Sequence, residues 1–575
     1  MDIRYGWVSR ARSLLALAGL AMIASGCGDD PSGVEQGPPP TISTIEPATG
    51  TVGTDLRITG TNLRPGAGGA VGSLAAAQVD VPSSSEAFLR VPEGVVTGET
   101  YDVTFENADG TEVTFPQAFT AVAPTLTFVN GATKPSGNTG STVIVEGEAF
   151  GDAQGTGAVL FSDGVGGTVE AAVASAEDWT DGFILATVPS AAVSGPVFVR
   201  TATGESTSLP FTVTQNAAFS PSTIAWTETQ ALPGAVSGHS ASYVPIDDAG
   251  GVTVQRVYVV GGSGTDSIPG TNVWHSEIQP DGSLSAWSVG TSLTAGIAHH
   301  GMVAATPFNA KVRGSGYLYL FGGIEEKGGE PVGTIQRIPL NEDGSTGAPE
   351  DAGTLPAPLH SAGVVIFRST LYLAGGATTD DSPVAEVYRA TIDTLGNIGA
   401  WESLPSLPEA RAHHQLVGFG GFLYAVGGDT GDAEPNDGNF QQNATKLSAV
   451  TLGRIDLRSG LLPDGWGAAG SELGKVRAKH FAVAAGGSLF VSSGLYSGAG
   501  NGSSENTFAP VNADGTIGSF GGATGSNTIE AVLGFNLFNA RGIAYVDGDG
   551  VAHVMVLGGD DVSVPGAKSG RVLFY

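Results

Sequence analysis

Cysteine is all but missing from this sequence: there is one, Cys27, in 575 residues. No internal disulfide can form, so any exported part must hold together by core packing. Long apolar runs are missing too. Residues 14–25 (LLALAGLAMIAS) are the longest apolar stretch near the N-terminus, and about 20 such residues are needed to cross a bilayer as a helix. No later segment approaches that length, so no transmembrane helix is expected. Positive charge is scarce, with 25 Lys and Arg against 56 Asp and Glu and a net charge of −31. Such a surface repels phosphate backbones and anionic lipid, which argues against nucleic-acid binding. The acidity needs no further role than solubility.

What is abundant is glycine, 88 residues, while charged residues make up only 14% of the chain. That is too apolar for a disordered chain and too rich in glycine for a helical one. Extended segments joined by tight turns fit, so an all-β fold is expected. The length predicts three or four domains.

The N-terminus reads as an export signal. Arg4, Arg10 and Arg12 precede the apolar run, which ends in Ala24-Ser25-Gly26-Cys27. This resembles the lipobox of bacterial lipoproteins, and the resemblance implies cleavage after residue 26 and a lipid on Cys27. The mature chain then carries 22 basic against 55 acidic residues, near −33. Residues 27–39, ending in Pro38-Pro39, form a polar, Pro-rich tether. Gly28 after the lipidated cysteine implies, by the same resemblance, sorting to the outer membrane.

From Pro40 short alternating strands begin. PTISTIEPATGTVGTDLRITGTNL places apolar residues at Ile42, Ile45, Leu56, Ile58 and Leu63, with Pro47, Gly50 and Gly53 punctuating the turn between strands. A hairpin turn at Asp109-Gly110 and a closing strand near 115–122 follow. Pro124 starts a second copy, with Pro135, Gly137, Gly140, Val143, Val145, Gly147 and Phe150 at similar spacings. These two segments, 40–122 and 123–215, resemble the IPT/TIG family of immunoglobulin-like domains. The resemblance implies disulfide-free β-sandwiches used as spacers or interaction modules, with no catalytic residues.

After residue 215 a second motif takes over. VYVVGG (257–262), LYLFGG (318–323), LYLAGG (371–376), LYAVGG (423–428), LFVSSG (489–494) and VMVLGG (554–559) recur 61, 53, 52, 66 and 65 residues apart. Recurrence at such a period signals propeller blades. A strand precedes each motif, and turns such as Asp281-Gly282 lead to an aromatic-ended strand (Trp287, Trp401, Phe520). Residues 216–575 thus resemble kelch repeats, which implies a six-bladed propeller. The second blade departs from the pattern at 349–351, the fifth has Ser493 for a glycine, and the sixth has Arg541 in place of a histidine. The chain ends on a third strand, GRVLFY. Residues 225–228 (AWTE) supply the missing fourth, so that an N-terminal strand closes the ring.

The connectors between blades carry the candidate binding face: His239, His300, His360, Arg411, His414, Arg477, His480 and Arg541. They are expected near the axis, with an acidic rim that includes Asp380, Asp381, Asp429, Asp432 and Asp560. Such a centre suits a polar ligand, for instance a sugar. The plainer reading is that repeated Arg and His sit where the blade geometry demands a hydrogen bond between neighbours. No catalytic residue, cofactor or metal site is predicted. Copper radical oxidases of kelch type need a Cys–Tyr crosslink, and Cys27 is committed to the lipobox. Sialidase Asp boxes, a Gly-x-Ser-x-Gly elbow, a His-Glu-x-x-His helix and a phosphate loop are all missing. Asp547-Gly548-Asp549-Gly550 lacks the later ligands of a calcium loop and reads as a hairpin turn. The expected function is therefore a surface lipoprotein whose Ig-like stalk presents a propeller for protein or glycan binding. The competing expectation is a glycan-processing enzyme, sialate-epimerase-like or glycosidase-like, with its site at the propeller mouth.

Overall fold

The computed structural model describes residues 37–214, 224–379, 382–431, 445–496, 505–523, 528–547, 551–564 and 566–575. Strand accounts for 48% of the chain and helix for 2%, so the fold is all-β. No helix among the described residues is long and apolar enough to cross a membrane.

The first 178 described residues fold as two sandwiches of one topology. In the first, Thr41–Glu46, Asp55–Thr61, Glu86–Arg90 and Gln78–Ser83 form one sheet in that order. The facing sheet runs Thr49–Gly50, Glu112–Ala121, Thr100–Glu106, Gly68–Val71 and Leu74–Ala75. Alternation sends Leu56, Ile58, Leu89, Val103, Phe105 and Phe119 into the space between them. The second sandwich repeats the order with Thr125–Val129, Thr142–Glu148, Phe183–Thr187 and Trp179–Thr180 against a sheet led by Ser136–Asn138 and Leu209–Thr214. In both, the leading strand splits between the two sheets, and its second part pairs parallel with the last strand. Trp179 fills the second core and donates its indole N–H to the Phe150 carbonyl at 3.1 Å.

The rest of the chain forms six four-stranded antiparallel sheets. Five are built from consecutive strands, beginning with Ser240–Asp247, Gly301–Ala305, Gly363–Phe367, Gln415–Phe419 and Phe481–Ala485. The sixth contains Arg541–Val546, Ala552–Leu557 and Val572–Phe574, and its fourth strand is Thr227–Glu228. Thr227 pairs with Phe574 and Glu228 with Leu573. The pairing falls on the last two residues of the expected 225–228 strand. Arg571 grips Glu228 with both ends of its guanidinium, and Trp226 is buried against Phe490 of the fifth sheet. The first strand of each sheet packs on that of the next, and the sixth packs on the first. A five-residue helix, Ile529–Leu533, capped by Thr528, fills the space between the fifth and sixth sheets.

The Gly-Gly pairs end each second strand with both residues at positive φ, for example 57° and 102° at Gly375 and Gly376. A side chain on the first glycine would also collide with the next sheet: a Cβ on Gly375 would lie 2.9 Å from the His414 ring. In the fifth sheet that position is Ser493, at φ 62°, and the facing residue of the sixth sheet is Ala540 rather than a histidine. The smaller neighbour accommodates the serine.

The second sandwich docks on the side of these sheets that carries the turns between first and second and between third and fourth strands. Lys134 pairs with Asp247 of the first sheet. Lys311 of the second reaches Glu146 at 2.6 Å, and Arg458 of the fourth reaches Asp178 at 2.9 Å. The amides of Thr133 and Lys134 both donate to the Pro307 carbonyl at 3.0 Å.

Candidate axial site

On the opposite side, six connectors meet at the centre. One residue of each lies in the left-handed region: Gly238 (61°), His299 (55°), Ser361 (51°), His413 (52°), Lys479 (57°) and Asn539 (51°). Their backbones form a closed circle. The amide of His299 donates to the Gly238 carbonyl (2.7 Å), Ser361 to His299 (2.8 Å), His413 to Ser361 (3.1 Å) and Lys479 to His413 (3.0 Å). Asn539 donates to Lys479 (2.9 Å) and Gly238 to Asn539 (3.3 Å), which returns to the start. Glycine adopts this conformation freely, whereas a side chain there costs about 1–2 kcal/mol, least for asparagine. Gly238 shows that the backbone needs no side chain. Five positions nonetheless carry one, and every one of the five is polar.

These side chains border a small cavity of about 30 Å³, lined also by His414, Gln415 and Arg541. Several are held by a second residue. Asp429, directly after Gly427-Gly428, accepts from His413 Nδ1 at 3.1 Å. Asp560, directly after Gly558-Gly559, accepts from Asn539 Nδ2 at 2.9 Å and pairs with Lys568 at 2.9 Å. His360 Nδ1 and Ser361 Oγ are 3.1 Å apart. The rings of His299 and His360 meet that of His413 edge-on, with centroids 6.3 and 6.1 Å away. Burial lowers the pKa of His299 well below its ordinary value, and the neighbouring His413 and Lys479 lower it further. Burial also lowers His413 despite Asp429, so both imidazoles are neutral at pH 7.

The eight residues of the sequence-derived binding face separate into two groups. His239, His300, His414 and His480 are buried between sheets, one residue beyond the axial position, and burial pushes each pKa down to about 3. Arg411 and Arg477 are buried at the ends of their own sheets. Arg411 donates to the Gly427 carbonyl (3.1 Å), and Arg477 makes the equivalent bond to Ser493 (3.2 Å) while also facing Glu505. The ring nitrogens of the four histidines meet no hydrogen-bond partner among the described residues, and the two arginines bond within their own sheets. His360 and Arg541 join the axial cluster, and His414 also borders its cavity. Arg541 does not replace a connector histidine: Ala540 holds that position, and Arg541 begins the next strand, its Nε donating to the His239 carbonyl at 2.6 Å.

Ser361, Lys479 and Asn539 were not among the sequence candidates. The axial position changes identity from sheet to sheet, and a search for recurrence passes over it. The usable signal was the variable polar residue just before the recurrent histidine, or before the alanine that stands in its place at Ala362 and Ala540. Of the acidic rim, Asp380, Asp381 and Asp432 lie outside the described residues, as do 548–550. Among the described residues no group of three or more His, Cys, Asp or Glu is placed to hold a metal ion.

No family model matches this chain, and no curated protein matches it. Among solved structures, one described as "Structure of YjhT" aligns over 59% of this chain and 95% of its own, at 13% identity and a TM-score of 0.41. A likeness that shallow carries no argument about what the axial site does.

Proposed function

We propose that the chain is a lipid-anchored surface protein with a binding, non-catalytic role. Cys27 carries the lipid and holds the chain at the outer membrane. Residues 40–122 and 123–215 are Ig-like stalk modules. Residues 216–575 are a six-bladed, kelch-like propeller, closed by its N-terminal strand, that binds a protein or a glycan. The observation that carries this reading is the docking side of the second sandwich. It covers the turn side of the sheets and leaves the axial mouth on the opposite, uncovered side. The cyclic order of strand contacts and the circle of six backbone hydrogen bonds support ring closure.

An enzyme at the mouth would need Arg411 or Arg477 converging on the axis with an available carboxylate. Both arginines are tied to carbonyls of their own sheets, and Asp429 and Asp560 are each bonded to a neighbour. The test is a screen of the 28–575 fragment against a glycan array and surface proteins, followed by product analysis of any hit. Capture without turnover supports the proposal; conversion of the captured ligand sinks it. Cys27→Ser is expected to move the protein out of the membrane fraction. Retention of that variant after a salt wash would refute the anchor.

A further inference from the structure

The second sandwich does not lie flush on the sheets. In the third sheet the turn between first and second strands is Arg368-Ser369, with both residues at positive φ (50° and 63°), a conformation that side chains avoid. Both reach the sandwich. Arg368 Nη2 donates to the Thr142 carbonyl at 3.1 Å, and Ser369 Oγ donates to the Gly131 carbonyl at 3.3 Å. The same turn is Gly420-Gly421 in the fourth sheet and Gly486-Gly487 in the fifth. Neither glycine pair is hydrogen-bonded to the described residues of the sandwich. A Cβ on Gly420 would meet only the Phe422 ring, 3.9 Å away, so crowding does not exclude a side chain there. Where the turns are bare, a gap opens.

That gap is a cavity of about 1000 Å³ between the sandwich and the sheets. Small-molecule sites run to about 300–1,000 Å³ and concentrate at domain interfaces. The two walls differ in chemistry. On the sheet side Phe308, Phe367 and Phe419, none of them fully buried, supply aromatic surface beside the bare backbone of Gly420 and Gly421. On the sandwich side residues 135–142 (PSGNTGST) supply hydroxyls and amides and no charge; Ser136, Thr139 and Thr142 are among them. The ionic groups of the lining balance. Arg368, Arg454 and Arg458 stand against Asp456, Asp464 and Asp178, the partner of Arg458 at 2.9 Å. Asp456 already accepts from the amide and hydroxyl of Ser459 in its own turn. No net charge therefore draws an ionic ligand. A ligand with a flat apolar face and an uncharged, hydroxyl-bearing edge satisfies both walls, and a sugar ring is such a group.

We propose that the cavity between the second sandwich and the sheets binds a neutral oligosaccharide, with Phe367 and Phe419 stacking on its rings and Ser136, Thr139 and Thr142 bonding its hydroxyls. This goes beyond the axial reading. The site lies on the other side of the sheets, and it is shared between two modules, so it is complete only while the sandwich stays docked.

The experiment is calorimetry on the full chain with cello-, malto-, xylo- and chito-oligosaccharides of two to six rings, and with glucose as the single-ring control. Saturable binding of at least one series, tightening with ring number, and none of glucose, is expected. Phe419→Leu keeps an apolar side chain for packing and removes the ring; it should weaken binding at least tenfold. Gly420→Asn creates Asn-Gly, a favoured pair for a two-residue turn with positive φ, and places a side chain in the cavity. It should weaken binding at least tenfold while melting with the parent, and it decides the matter if Phe419→Leu fails to fold. Glu146→Gln combined with Asp247→Asn cuts two of the three ion pairs of the joint and alters no residue of the lining. That pair should weaken binding too, and more so in about 1 M salt. A ligand held at the axial mouth would be indifferent to both Gly420→Asn and the double variant. Such indifference would overturn the inference and leave the axial reading standing. Failure of all four series to bind would overturn it as well.

Discussion

Four histidines, His239, His300, His414 and His480, repeat one environment in four connectors. Burial holds each near a pKa of about 3, against an ordinary value of 6.5. Each is therefore neutral in the fold and takes up its proton only on unfolding. The stability they contribute is complete above about pH 6.5 and is lost as the pH falls from there toward 3. Denaturant midpoints measured between pH 7 and 4 should drop steadily, and His300→Gln should flatten part of that slope. A midpoint constant over this range would contradict the assignment. These histidines were legible in the sequence because they recur. What was not legible was their direction. In His299-His300 and His413-His414 one ring enters the sheet boundary and its neighbour faces the axis, and only the left-handed backbone at the first residue decides which. Arg541 misled for a related reason: counting along the chain matched it to a histidine from which it is displaced by one residue.

Among elements, the sheets are stapled by tyrosines of the second strands. Tyr258, Tyr319, Tyr372 and Tyr424 each donate a hydroxyl to a glycine carbonyl in the next sheet's third-to-fourth turn: Gly344, Gly396, Gly460 and Gly515, at 2.6 to 2.9 Å. The fifth sheet has Phe490 at this position. Its neighbour, the sixth sheet, takes its fourth strand from the front of the chain and so has no such turn. Tyr319→Phe should cost about 1 kcal/mol in equilibrium unfolding, the net worth of one hydrogen bond. Phe490→Tyr should not stabilise; it buries a hydroxyl with no turn to receive it, at a cost of about 1–3 kcal/mol. A stabilised Phe490→Tyr would mean that another acceptor is in reach. The aromatic-then-Gly-Gly pattern announced the strands because glycine answers a local backbone demand. The destination of the hydroxyls depends on which turn lies next door, and strand periodicity is silent on that.

For the whole molecule, closure and docking set the behaviour. Removing residues before 230 deletes Thr227, Glu228 and Trp226, and loss of that buried Trp alone is worth about 3–5 kcal/mol. A 216–575 fragment should be monomeric and cooperative, and a 230–575 fragment should expose the edge of Val572–Phe574 and aggregate. Equal melting and equal monodispersity of the two would sink ring closure by this strand. The order of modules was readable from repeats, whereas the docking side was not. It depends on Lys134, Glu146 and Asp178 meeting Asp247, Lys311 and Arg458, charges scattered through turns with no common pattern. Because these pairs are partly exposed, raising ionic strength should loosen the joint. Small-angle scattering in 0.1 M and about 1 M salt should show a broader distribution of shapes in the latter, with unchanged melting of the six-sheet unit.

If the chain is held at its N-terminus, as proposed above, the same joint has a mechanical consequence. Tension arriving from the tether passes through the sandwiches. While the three ion pairs hold, it spreads into the first, second and fourth sheets side by side and bypasses the closing strand. Once these pairs and the hydrogen bonds to Pro307, Thr142 and Gly131 have parted, the load falls on Thr227–Glu228, a strand joined to its sheet by two residue pairs. The joint therefore acts as a strain relief, and its rupture force sets the pull at which the ring is put at risk of opening.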